Sequence, residues 1–159
     1  MKDRKGQYVF VAVLLLLVAT ISICYAVFFD KEEQTNKELV VKVTSVVANE
    51  TQGGKNKSMT FDNNSVDLEV ELDTPEAYIV YDVTIENDKD DKVSLKEILG
   101  IDSINKEEPK NITFEVIGIK EGDIIDTKTK KVLKVKATRS EDSGIETLTK
   151  KAKITFTFE

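Results

Sequence analysis

In the stretch VDLEVEL, Val66, Leu68, Val70 and Leu72 alternate with Asp67, Glu69 and Glu71. A period of two places these sets on opposite faces of a pleated strand, one suited to a core and one to water. YIVYDVTIEN repeats the device, with Ile79, Tyr81, Val83 and Ile85 inward and Asp82, Thr84 and Glu86 outward. AKITFTFE sets Ala152, Ile154, Phe156 and Phe158 on one face. LVVKVTSVV (39–47), a short run around Met59 to Phe61, ITFEVIGI (112–119) and KVLKVKAT (131–138) complete the set. About seven such strands, separated by turns such as DTPEA and KEGD, predict an all-β fold. The expected form is an Ig-like or jelly-roll antiparallel β-sandwich.

One segment reads differently. SLKEILG has Ser94 at an N-cap position, Glu97 three residues later and Gly100 as a stop, which predicts one short helix with Leu95, Ile98 and Leu99 packing beneath it. NETQGGKNKS (49–58) is polar and glycine-bearing and reads as a loop. The outward face of 66–72 is acidic, while Lys134 and Lys136 sit outward on 131–138. If those strands were neighbours, cross-strand ion pairs would help to fix their register; otherwise both are simply solvated faces.

Ahead of the strands, Tyr8 to Phe29 is a run of 22 residues without a charge. As a helix it spans roughly 33 Å, enough to cross a bilayer core of about 30 Å. Lys2, Arg4 and Lys5 precede it and Asp30, Glu32 and Glu33 follow, so the positive-inside rule puts the N-terminus in the cytoplasm and the rest outside. Cys24 and Ala26 also stand where small residues flank a signal-peptide cut after Ala26, so a cleaved signal and a retained anchor both remain open. The organisation expected is a signal-anchor or signal peptide (1–30), a polar stalk KEEQTNKE (31–38) and an exported β-sandwich (39–159).

Composition excludes much chemistry. The chain has no histidine, and its single cysteine, Cys24, lies in the apolar run. Ser-His-Asp and Cys-His catalysis, His-ligated zinc and an internal disulfide in the outer domain are thereby removed. No Walker or GxGxxG phosphate loop occurs, and paired carboxylates are expected by chance among 29 acidic residues. Of 23 basic and 29 acidic side chains, residues 1–30 hold three and two, which leaves 20 and 27 and a net −7 beyond them. Such a surface does not suit nucleic acid. No cofactor is expected, and the sole metal candidate is NDKDDK, where Asp88, Asp90 and Asp91 could offer oxygen ligands to calcium. Its glycine and distal glutamate are missing and Lys89 and Lys92 compete, so a solvated turn is the competing reading. Sequons stand at Asn49, Asn56, Asn63 and Asn111.

The junction YAVFFD resembles the end of the export signals in the TasA/camelysin family of Gram-positive surface proteins. Tyr25, Ala26, Phe28 and Asp30 fit that pattern, which makes Ala26, Phe28 and Asp30 the candidate processing residues, whereas Val27 and Phe29 depart from it. LDTPEAYIVYDVTIENDKDDKVSLKEI and KITFTFE also resemble segments of that family. The resemblance implies a sandwich displayed outside the cell, in a family of fibre-forming matrix or biofilm proteins. In fibre-forming members a strand of one subunit completes the next subunit's sheet. LVVKVTSVV would be the donor here, with an ordinary strand of its own sandwich as the alternative. The metalloprotease description of some members does not transfer, for want of a zinc ligand set.

The functional expectation is a non-enzymatic cell-surface structural or interaction protein. It is single-pass through residues 8–29, or secreted if cut, and its partners are proteins or further copies of itself. The alternative is a membrane-anchored binding module that takes a ligand or calcium at its loops.

Overall fold

The computed structural model describes residues 41–141 and 146–159, which belong to one compact unit, Leu39–Glu159. The expected span 8–29, the processing residues Ala26, Phe28 and Asp30, and the stalk lie outside the described residues. In chain order the described elements are β1 (Val41–Gln52), β2 (Gly54–Asp62), β3 (Ser65–Leu72), β4 (Tyr78–Asn87), β5 (Val93–Leu99), α1 (Ile101–Lys106), β6 (Ile112–Ile117), β7 (Ile124–Ile125), β8 (Thr129–Arg139) and β9 (Leu148–Phe158).

Two antiparallel sheets result, ordered β1-β4-β8-β6 and β2-β3-β9-β5-β7. Between consecutive strands, only the β2–β3 connection stays within one sheet, and every other one changes sheet. The alternating patterns explain the register. In the first sheet Ile79, Tyr81 and Val83 lie opposite Ala137, Val135 and Leu133. In the second, Val66 and Leu68 face Ile154 and Ala152. All ten side chains are buried and meet in one core between the sheets. A fully buried Phe156 or Leu72 contributes about 1.5–3 kcal/mol.

Two local expectations are corrected, and one open alternative is decided. SLKEILG is strand β5, not a helix: Val93 and Leu95 face the core, and Leu95, Glu97, Ile98 and Leu99 pair with β9. The short helix follows Gly100 instead. A bulge between Leu95 and Glu97 shifts the phase of the strand, so that Leu95 and Ile98, three residues apart, both reach the core, and this spacing imitates a helix. Residues 49–58 are likewise not a loop but the end of β1 and the start of β2, with the chain passing from one sheet to the other at Gly53. Both stretches are edge strands with little buried surface, so no apolar alternation marks them. Finally, β3 and β8 belong to different sheets, so the acidic stripe does not meet Lys134 and Lys136. Its ladder neighbours are β2 and β9, with Asp67 opposite Lys153 and Glu69 opposite Lys151.

Candidate functional site

The acidic stripe of β3 lies between two lysine-bearing strands. Lys57 Nζ is 2.9 Å and Lys55 Nζ 3.4 Å from Glu71, while Lys151 and Lys153 stand 3.7 Å and 4.0 Å from Glu69 and Asp67. The hydrogen bond from Lys57 holds the Glu71 carboxyl below its ordinary range and raises the lysine correspondingly.

Helix α1 lies beside this face and creates a cleft of about 390 Å³ lined by Ser58, Asp67, Glu69, Ser103, Glu107, Lys151 and Lys153, among others. Three features place the helix. Gly100 turns the chain at φ +101°, with the Lys153 carbonyl occupying the space a β-carbon would need. Ile104 is buried in the core. The Asn105 amide donates to Phe114 O at 2.9 Å, and its carbonyl accepts from Phe114 N at 2.7 Å. Ser103 Oγ donates to Gly100 O at 2.8 Å, so this hydroxyl is engaged with the helix start. What the cleft presents to a ligand is ion-paired carboxylates and ammonium groups.

The turn holding Asp88, Asp90 and Asp91 is organised by side chains of its own. The Asn87 amide nitrogen donates to the carbonyls of Asp91, Ile125 and Asp126 at 2.8, 3.3 and 3.2 Å, and its oxygen accepts from Lys89 N at 3.0 Å. Lys128 Nζ lies 3.7 Å from Asp88 and 3.6 Å from Asp90, and donates to Asp88 O. A lysine ammonium thus stands between the exposed carboxylates of Asp88 and Asp90. Among the described residues no group of three or more His, Cys, Asp or Glu gathers in a way that could hold a metal ion. Nearby, the hydrogen bond to Asp126 raises Lys92, and the one from Lys131 lowers Asp123.

The least anticipated feature is a pair of buried cations at the opposite end of the sandwich. Lys150 Nζ donates to the carbonyls of Glu107, Pro109 and Ile112 at 2.9, 2.9 and 2.8 Å. Arg139 donates to Leu72 O at 3.1 Å and Glu146 O at 2.6 Å. Between them they tie down the ends of the β3–β4, α1–β6 and β8–β9 connections. Burial lowers the Lys150 ammonium, opposed by the charges of Glu107 and Glu108. The signal was present in the sequence: Lys150 falls in phase with Ala152, Ile154 and Phe156, and Arg139 in phase with Leu133, Val135 and Ala137. A long basic residue in the inward phase is easily taken for an outward one.

No family model, curated protein or solved structure matches this chain. Among the described residues no helix is long and apolar enough to cross a membrane.

Proposed function

We propose that the chain is an exported, non-catalytic β-sandwich displayed at a cell surface, working by contact with other proteins and with copies of itself in a matrix or surface fibre. Residues 8–29 tether it, or are removed by cleavage, and residues 31–159 lie outside the cell. The observation that carries this reading is that two long strands stand at sheet edges among the described residues. β1 and β2 each have one neighbour among the described strands, and they adjoin at Gly53. Sheet edges are ready templates for association. The frequent change of sheet between consecutive strands supports the jelly-roll description over the Ig-like one, in which more consecutive strands share a sheet. Electron microscopy of purified residues 31–159 tests the reading: filaments or ordered oligomers are expected, and a strictly monomeric species at high concentration would sink it.

A further inference from the structure

We infer that the segment from Gly100 to Asn111 is a strap that keeps a further strand off the edge of β9 between Thr149 and Lys153, and that Lys150 is its fastener. The inference concerns the fold itself and goes beyond the surface reading above. β9 is an interior strand, paired with β3 from Leu148 to Thr155, but β5 takes its other side only from Thr155 to Phe158. Phe156 N donates to Asn64 O at 2.8 Å, so the even-numbered residues of β9 turn their backbone groups to β3. Thr149, Lys151 and Lys153 therefore turn theirs to the side that β5 leaves open. Backbone groups without a strand partner are a template for another chain unless something covers them.

The strap occupies that side. At one end the Lys153 carbonyl fills the space beside Gly100. At the other, Lys150 Nζ donates to Glu107 O and Pro109 O at 2.9 Å and to Ile112 O at 2.8 Å. Between these ends Gly100, Ser103, Ile104 and Glu107 line the cleft together with Lys151 and Lys153. The helix thus takes the place beside β9 that a longer β5 would have filled.

Few groups hold the strap. From Ile101 to Asn111 only Ile104 is buried, and Asp102, Ser103, Lys106, Glu107, Glu108 and Lys110 are exposed. Asn105 ties it to β6 through the backbone of Phe114. A segment with one buried apolar side chain opens at less cost than the core strands beneath it. Lys150 differs from the other ties because it reaches from β9 itself, in the inward phase of the strand, and gathers three carbonyls of the strap and its continuation into β6. Loss of its ammonium frees the end of the strap and leaves the ladders of both sheets intact.

The test uses the full chain in detergent micelles, in a Cys24→Ser background. Thiol labelling of Ile104→Cys reports opening of the strap, and Leu133→Cys, buried in the other sheet, reports opening of the whole domain. Ile104→Cys should label faster than Leu133→Cys. Lys150→Met should accelerate it roughly tenfold or more beyond any acceleration at Leu133→Cys. In chains without an added cysteine, Lys150→Met should also raise the self-association constant in sedimentation roughly tenfold or more, whereas Leu133→Ala, compared at the same fraction folded, should not. If Lys150→Met does not fold, Asn105→Ala loosens the strap from β6 and takes its place in both measurements. Equal labelling rates at the two cysteines in every chain would mean that the strap opens only with the whole domain, and would overturn the inference. Selective opening without added association would overturn it too, since the edge would then need no cover.

Discussion

Replacing Gly100 by alanine is expected to destabilise the domain by about 3 kcal/mol or more. Two effects combine. Gly100 sits at φ +101°, ψ −37°, a conformation costly for any residue with a β-carbon. The added atom would also collide with the carbonyl oxygen of Lys153 and lie 3.3 Å from Ile104 Cδ1. Lys153 belongs to β9, paired with β3 on one side and with β5 on the other, so its carbonyl has little room to retreat. The strain falls where β5 ends and α1 begins, and so on the wall of the cleft. Denaturant unfolding of residues 31–159 would measure the loss; a change below about 1 kcal/mol would show that the junction is more pliable than described.

Lys150→Met is the second large effect, again about 3 kcal/mol or more. Methionine can fill much of the lysine stem's volume but donates nothing, leaving the carbonyls of Glu107, Pro109 and Ile112 without this partner. A buried polar group left unsatisfied costs about 1–3 kcal/mol, and water entering beside it would recover part of that. The variant also carries a pH signature. Burial lowers the ammonium's pKa below its ordinary 10.5, so the unfolded chain binds the proton more tightly. The wild-type domain should therefore gain stability as pH rises from the lowered value towards 10.5, and lose that gain as pH falls back through it. Lys150→Met should lack this part of the slope. Equal midpoints and equal slopes for the two proteins would mean that the three hydrogen bonds contribute little.

The parts of the fold legible in the sequence are those where one face of a strand is buried and the other is not. Val66 to Leu72, Ile79 to Ile85 and Ala152 to Phe156 alternate because they occupy interior strands of their sheets. β2 and the second half of β1 lacked that signal, since an edge strand can stay polar on both faces. At β5, the bulge between Leu95 and Glu97 hides the strand period behind a helix-like spacing, and the β9 pairing that makes it a strand is distant in sequence. The cleft was not legible either, because it joins α1 to β2, β3 and β9 through the Gly100 turn. Lys150 and Arg139 show a different gap. Their phase marked them as inward, but only the surrounding carbonyls, which are set by distant parts of the chain, show what receives them there.

Everything proposed about assembly depends on the sandwich lying outside the cell. Treating intact cells that carry a C-terminally tagged chain with trypsin tests this directly, because Lys31 and Lys37 supply trypsin sites between the apolar run and the sandwich. The expected result is a tagged fragment released by cutting at Lys31 or Lys37, or tagged protein already present in the medium if the N-terminal segment is removed. A full-length chain that stays with the cells and resists trypsin until they are broken open would contradict the account.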